Sequence, residues 1–149
     1  MAKVLIKKLD PTVELPAYKT EGASGMDLMA LVKEPITLKP NSSCLVPTGL
    51  AVAFSNDFEI QIRPRSGLAA KNSISVINTP GTIDSDYRGE IKVILFNHGK
   101  NDFLINNKDR IAQMILTPVI KMELDETDDL PETVRGEGGF GSTGKWAKI

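Results

Sequence analysis

The chain has 149 residues, 41% of them hydrophobic and 25% charged, with 18 Lys and Arg against 19 Asp and Glu for a net charge of −1. That describes one globular domain with a core, and one Cys with one His exclude an internal disulfide and a Cys- or His-rich metal site within one chain. Near-zero net charge argues against a general nucleic-acid binder, although it leaves room for a local cationic pocket. The apolar run in the opening Met1–Pro11 is too short, and too broken by lysines, to read as a signal peptide. No stretch approaches the ~20 apolar residues of a membrane span. A cytoplasmic protein with no membrane or nucleic-acid partner is the expectation.

Val4–Leu9 reads as the first strand. Nine prolines then punctuate the chain, leaving few windows of helical length. Between them lie short runs rich in β-branched residues: Ile36–Leu38, Cys44–Val46, Leu50–Phe54, Phe58–Ile62, Ile74–Ile77, Ile91–Phe96 and Phe103–Ile105. Glu59–Arg63 alternates with period two, as a half-buried strand does, and Ile91–Ile94 does so less cleanly. Ser66 is placed to cap one short helix through Leu68–Lys71, and Ile111–Ile115 is ambiguous between helix and strand. Many short strands joined by Gly/Pro turns predict an all-β fold, a jelly-roll-like barrel or sandwich with one short helix. Near residue 121 the composition shifts. An acidic linker with Asp125, Glu126, Asp128, Asp129 and Glu132 precedes a tail, Arg135–Gly144, that has five glycines and almost no core-forming residues. Such a tail is expected to be mobile and suited to closing over a ligand.

Four internal places carry candidate chemistry. Asp27 lies in an otherwise apolar segment, so its carboxylate is solvent-facing, paired or near a metal. In Arg63-Pro64-Arg65-Ser66-Gly67 the proline constrains Arg63 to extended backbone. Ser66 there is either a plain cap beside two surface arginines or part of an anion site at a helix start. The segment Ile77–Gly89 is a hairpin or long turn between two strands. Its Asn78 is able to read a base edge, Asp84 to point inward as a general base, and Tyr87 to stack on a sugar; the plain alternative is an Asx-rich turn. Gln113, an uncharged polar residue among apolar neighbours, makes either a specific hydrogen bond or the polar face of an edge strand. Together these segments suit a phosphate-bearing ligand better than a sugar or a peptide.

The same five segments resemble, in order and spacing, those of the trimeric dUTPases (deoxyuridine 5'-triphosphate nucleotidohydrolases). The resemblance runs from about residue 4 to 144, through Asp27, Arg65-Ser66-Gly67, Gly81–Gly89, Asp109–Gln113 and Arg135–Gly144. It implies a jelly-roll homotrimer with active sites at subunit interfaces, turning dUTP and water into dUMP and diphosphate with Mg2+. By resemblance, Asp84 activates the attacking water, and Asp27 lies beside a magnesium ion that phosphates and waters hold, with no direct protein ligand. Asn78, Gly81, Thr82 and Ile83 then read uracil, Tyr87 excludes a ribose 2'-hydroxyl, and Arg65, Ser66, Gly67, Lys92 and Gln113 are implied on the substrate side, with Asp84, Asp27 and Gln113 implied as the catalytic residues. In the tail, Arg135, Gly141, Ser142 and Thr143 would engage distal phosphates and Phe140 would cover the base. Residues 1–134 would form the domain and 135–149 the lid. Lys108 stands where the family often has Gly, and Ser24-Gly25-Met26 precedes Asp27 where Ala-Gly-Leu is more frequent. Cys44 and His98 read as structural. Two alternatives are a dCTP deaminase-like enzyme of the same fold group and a non-enzymatic trimeric nucleotide-binding β protein.

Overall fold

Short β-branched runs cannot bury their apolar face alone, so they pair across long stretches of sequence. A computed structural model describes residues 2–144 and contains eleven strands and one helix among them. In chain order they are β1 (Leu5–Lys8), β2 (Met26–Met29), β3 (Ile36–Leu38), β4 (Ser43–Pro47), β5 (Leu50–Ala53), β6 (Phe58–Arg63), α1 (Ser66–Asn72), β7 (Ile74–Val76), β8 (Gly81–Ile83), β9 (Lys92–Asn97), β10 (Phe103–Ile105) and β11 (Arg110–Pro118). Every pairing is antiparallel. The sheets run β2-β11-β6-β8, β4-β9-β7, β1-β5 and β10-β3. Trp146 lies outside the described residues.

Alternation sets which residues form the core. In β9, Val93, Leu95 and Asn97 are buried while Lys92 is exposed. Val93 and Leu95 join Leu28, Leu38, Val46, Ile60, Ile62, Ile74, Val76, Ile105 and Ile111 in one cluster. Asn97 is polar and fully buried. Its Nδ2 donates to the carbonyls of Leu38 (2.9 Å) and Asn101 (2.8 Å), and its Oδ1 accepts the Gly99 N–H at 2.8 Å. One side chain thus ties the turn after β3 to the turn after β9.

Two sequence expectations change and one open alternative is settled. Ser66 is the first residue inside α1, not its cap; the cap position belongs to Arg65, whose backbone is extended and whose side chain makes no capping bond. The flanks of Ile77–Gly89 do pair, as β7 with β9, but the segment between them leaves to lay β8 against β6. Gly81 allows that approach, because a Cβ there would come within 3.3 Å of the Ile62 Cβ. Ile111–Ile115 is strand, inside the nine-residue β11. Cys44 is half-buried in β4, and burial pushes its thiol pKa up, in keeping with a structural residue. His98 is exposed in a turn and hydrogen-bonds Ser75 Oγ at 2.7 Å.

Asn97→Ala removes three hydrogen bonds, one buried and two part-buried, and strands their partners. It is expected to lower unfolding stability by about 2–4 kcal/mol, read as a fall in the urea midpoint at fixed protein concentration.

Candidate active site

β11 is an internal strand, so Gln113 is no edge residue. It stands opposite Asp27 of β2 on one side and Arg63 of β6 on the other. Residues opposite one another share a face of the sheet, so all three project together. The Gln113 Nε2 donates to the Pro64 carbonyl at 3.0 Å. That bond ties β11 to the chain just before α1. An amide carries two N–H groups, so one remains for a ligand.

Asp27 proves to be paired. The Arg65 Nε donates to its Oδ1 at 3.0 Å, and the Arg110 Nη1 approaches its Oδ2 at 3.4 Å. The Arg65 Nη1 also donates to the Arg110 carbonyl at 3.2 Å. Arg110 is a member of this cluster that residue spacing alone does not mark. It lies three residues from Gln113, an odd number, and a regular strand would place it on the opposite face. The pairing of β11 with β2 shifts between Arg110 and Ala112, so two residues there oppose one. This bulge puts Arg110 opposite Met29, on the face that carries Asp27.

The first hydrogen bond inside α1 runs from the Ala69 N–H to the Arg65 carbonyl. Ser66, Gly67 and Leu68 therefore start the helix with N–H groups that no earlier turn can accept. A Cβ on Gly67 would meet nothing within 4 Å, so packing within this chain does not demand the glycine.

The second cluster hangs between β8 and β9. Thr82, Ile83, Asp84, Tyr87, Glu90 and Lys92 line an open cavity of about 480 Å³, within the range of small-molecule sites. A smaller cavity shares Thr82, Ile83 and Lys92 and adds Asn78 and Gly81. Asp84 is exposed on the cavity wall instead of pointing into the core. Its side chain has no hydrogen bond or ion pair among the described residues. The Tyr87 hydroxyl donates to the Glu90 carbonyl at 2.9 Å. Glu90 also escapes sequence reasoning: its Oε1 accepts the Gly49 N–H at 2.9 Å, and its Oε2 lies 3.8 Å from the Lys92 Nζ.

The structure does not bring the tail to either cluster. The Val119 N–H donates to the Asp57 carbonyl. Beyond it, every hydrogen bond found among the described residues of the tail is internal to it. The Arg135 Nε donates to the Gly138 carbonyl at 2.7 Å, and Phe140 is fully exposed.

A family model described as dUTPase matches residues 12–144. The chain belongs to the dUTPase family. It is 55% identical over 145 residues to a deoxyuridine 5'-triphosphate nucleotidohydrolase from Rickettsia bellii, covering 97% of each chain. It is 55% identical over 137 residues to one from Treponema denticola, covering 92% of this chain and 95% of that one. A dUTPase variant from Staphylococcus bacteriophage 80alpha, solved with dUpNHpp, shares the fold at a TM-score of 0.81 and 22% identity, over 95% of this chain and 98% of that one. A dUTPase variant from phage phi11 of S. aureus, described as coordinating a structural Mg(II) ion, matches at a TM-score of 0.78 and 18% identity, over 87% and 99%. The jelly-roll-like fold expected from the sequence is therefore found.

Three arginines and an amide on one face suit a polyanion. Arg110→Ala is expected to weaken binding of inorganic tripolyphosphate about tenfold, measured by calorimetry, with little change in melting temperature because the side chain is exposed.

Proposed function

We propose that this chain hydrolyses dUTP to dUMP and diphosphate by attack of water on the α-phosphorus, limiting uracil incorporation into DNA and supplying dUMP for thymidylate synthesis. The observation that carries the reading is a division between two carboxylates. Asp27 is taken up by two arginines, while Asp84 has no side-chain partner among the described residues and lies on the wall of an open cavity beside Tyr87 and Lys92.

In this reading Asp84 accepts the proton of the attacking water. The water oxygen bonds to the α-phosphorus, the bond from that phosphorus to the bridging oxygen breaks, and diphosphate leaves with the electron pair. A carboxylate serves here through geometry, without an extreme pKa. Arg65, Gln113 and the opening N–H groups of Ser66 and Gly67 hold phosphate oxygens as their charge shifts. Asn78 with the backbone of Gly81, Thr82 and Ile83 reads the uracil edge. Tyr87 packs on the deoxyribose, and Lys92 adds a cation at the same cavity.

Among the described residues no three His, Cys, Asp or Glu side chains gather as a metal cage. Asp27, the carboxylate nearest the arginines, already spends both oxygens on them. This donor set fits a magnesium ion carried on the triphosphate, bound by phosphate oxygens and water with Asp27 nearby. Bound there, magnesium would neutralise phosphate charge.

The two clusters lie on different parts of the sheet system. The cavity of Asp84 and Tyr87 includes neither Asp27 nor Arg65. A homotrimer that completes each site from neighbouring subunits accounts for this split. The tail then acts as a lid over the base and distal phosphates through Arg135, Phe140, Gly141, Ser142 and Thr143, leaving 1–134 as the folded domain.

Diphosphate release assayed with dUTP, UTP, dTTP and dCTP is expected for dUTP alone, with Asp84→Asn binding nucleotide yet losing at least about a hundredfold in kcat. Equal turnover of all four would sink the assignment, and ammonia from dCTP would replace it with a deaminase. Deleting residues 135–149 is expected to leave the oligomer folded by light scattering and circular dichroism while crippling turnover. Loss of assembly would make the tail structural as well.

A further inference from the structure

Gly89 has no side chain, yet the Tyr87 ring rests on it. A Cβ built at Gly89 would fall on the Tyr87 hydroxyl, 2.6 Å from its Cζ and 2.9 Å from its Cε2. Carbon atoms in contact ordinarily sit about 3.5–4 Å apart. The ring therefore lies across bare backbone, and its hydroxyl reaches the Glu90 carbonyl at 2.9 Å. That acceptor is itself held. The Glu90 carboxylate takes the Gly49 N–H at 2.9 Å. One residue on, the Ile91 N–H donates to the Leu50 carbonyl at 2.7 Å, and the buried Thr48 hydroxyl donates to the Ile91 carbonyl at 2.6 Å. The turn between β4 and β5 thus clamps residues 90 and 91 from below.

The backbone at Gly89 is not in the left-handed region, so the chain's path does not require glycine there. The atoms nearest a Cβ all belong to the outer end of the Tyr87 side chain. A methyl at residue 89 would displace the ring and leave the fold in place.

We propose that Gly89 is a positioning residue for sugar selectivity: its missing Cβ fixes the Tyr87 ring as the wall that closes the space of a ribose 2'-hydroxyl. This rests on the reading of Tyr87 as the sugar-facing wall. Gly89→Ala swings the ring off its bond to Glu90, weakening the packing on deoxyribose and opening room beside it. The effect travels through Tyr87, so it vanishes when the ring is gone.

The test is a double-mutant cycle of Gly89→Ala and Tyr87→Ala, with kcat and KM for dUTP and UTP measured for each variant. Gly89→Ala is expected to raise KM for dUTP and to cut the dUTP/UTP ratio of kcat/KM about tenfold, with a smaller effect on kcat. In the Tyr87→Ala background it should change the ratio less than about twofold. A ratio unmoved by Gly89→Ala, or an equal loss in both backgrounds, overturns the proposal. If Gly89→Ala fails to fold, the double variant decides: recovery with the ring removed supports the steric relation, and failure in both overturns it. Tyr87→Ala alone leaving selectivity intact would refute the underlying reading of Tyr87, a result distinct from failure of Gly89 to act through it.

Discussion

The cation side of the site depends on one extra residue in β11. At the bulge between Arg110 and Ala112, Ile111 and Ala112 are both buried, although they are neighbours in a strand. Both also belong to the one core cluster, and two consecutive side chains on the same side are what a bulge permits. The effect is to shift the parity of everything before it. Gln113 and Arg110 reach the same face, and both meet β2 where Asp27 projects. A strand without the bulge would turn Arg110 away and leave Asp27 with Arg65 alone.

That parity shift also explains what is legible in the sequence and what is not. Period-two alternation marks β6 and β9, because one face of each is buried along its length. It fails at β11, where Ile111, Ala112, Met114 and Ile115 are all buried. Four apolar positions at that spacing read equally well as one face of a helix, so the pattern leaves the segment undecided. β8 escapes for a different reason. It is three residues long and pairs with β6 instead of its neighbours in sequence, so turn chemistry on either side masks it. Ser66 misleads because serine is a favoured cap, whereas the half-in position with extended backbone belongs to Arg65.

The candidate site divides along the same line. Each segment is locally visible, as a carboxylate among apolar residues or arginines around a proline. Their convergence is not, since Asp27 and Arg110 are 83 positions apart and Asp27 and Arg65 are 38. No local pattern encodes such distances, and here the family resemblance carries what periodicity cannot. Glu90 shows the limit most clearly. In sequence it is one more acidic residue after Gly89, but its carboxylate anchors Gly49, 41 residues away, and its carbonyl holds the Tyr87 hydroxyl.

A carboxylate in the middle of the proposed phosphate site looks self-defeating, because it would repel the ligand. Its geometry argues otherwise. Free arginine side chains are long and lose rotamer entropy when a ligand orders them. Asp27 holds Arg65 and Arg110 through one oxygen each. Two cations and one anion leave a local excess of one positive charge in a chain whose net charge is −1. The cluster trades some attraction for fixed donors, and fixed donors favour a transition state because they need not reorganise as charge moves. Gln113 fits the same logic. An amide bonded to the Pro64 carbonyl is oriented without adding charge, so the face proposed to meet the phosphates is built as much from rigidity as from electrostatic strength.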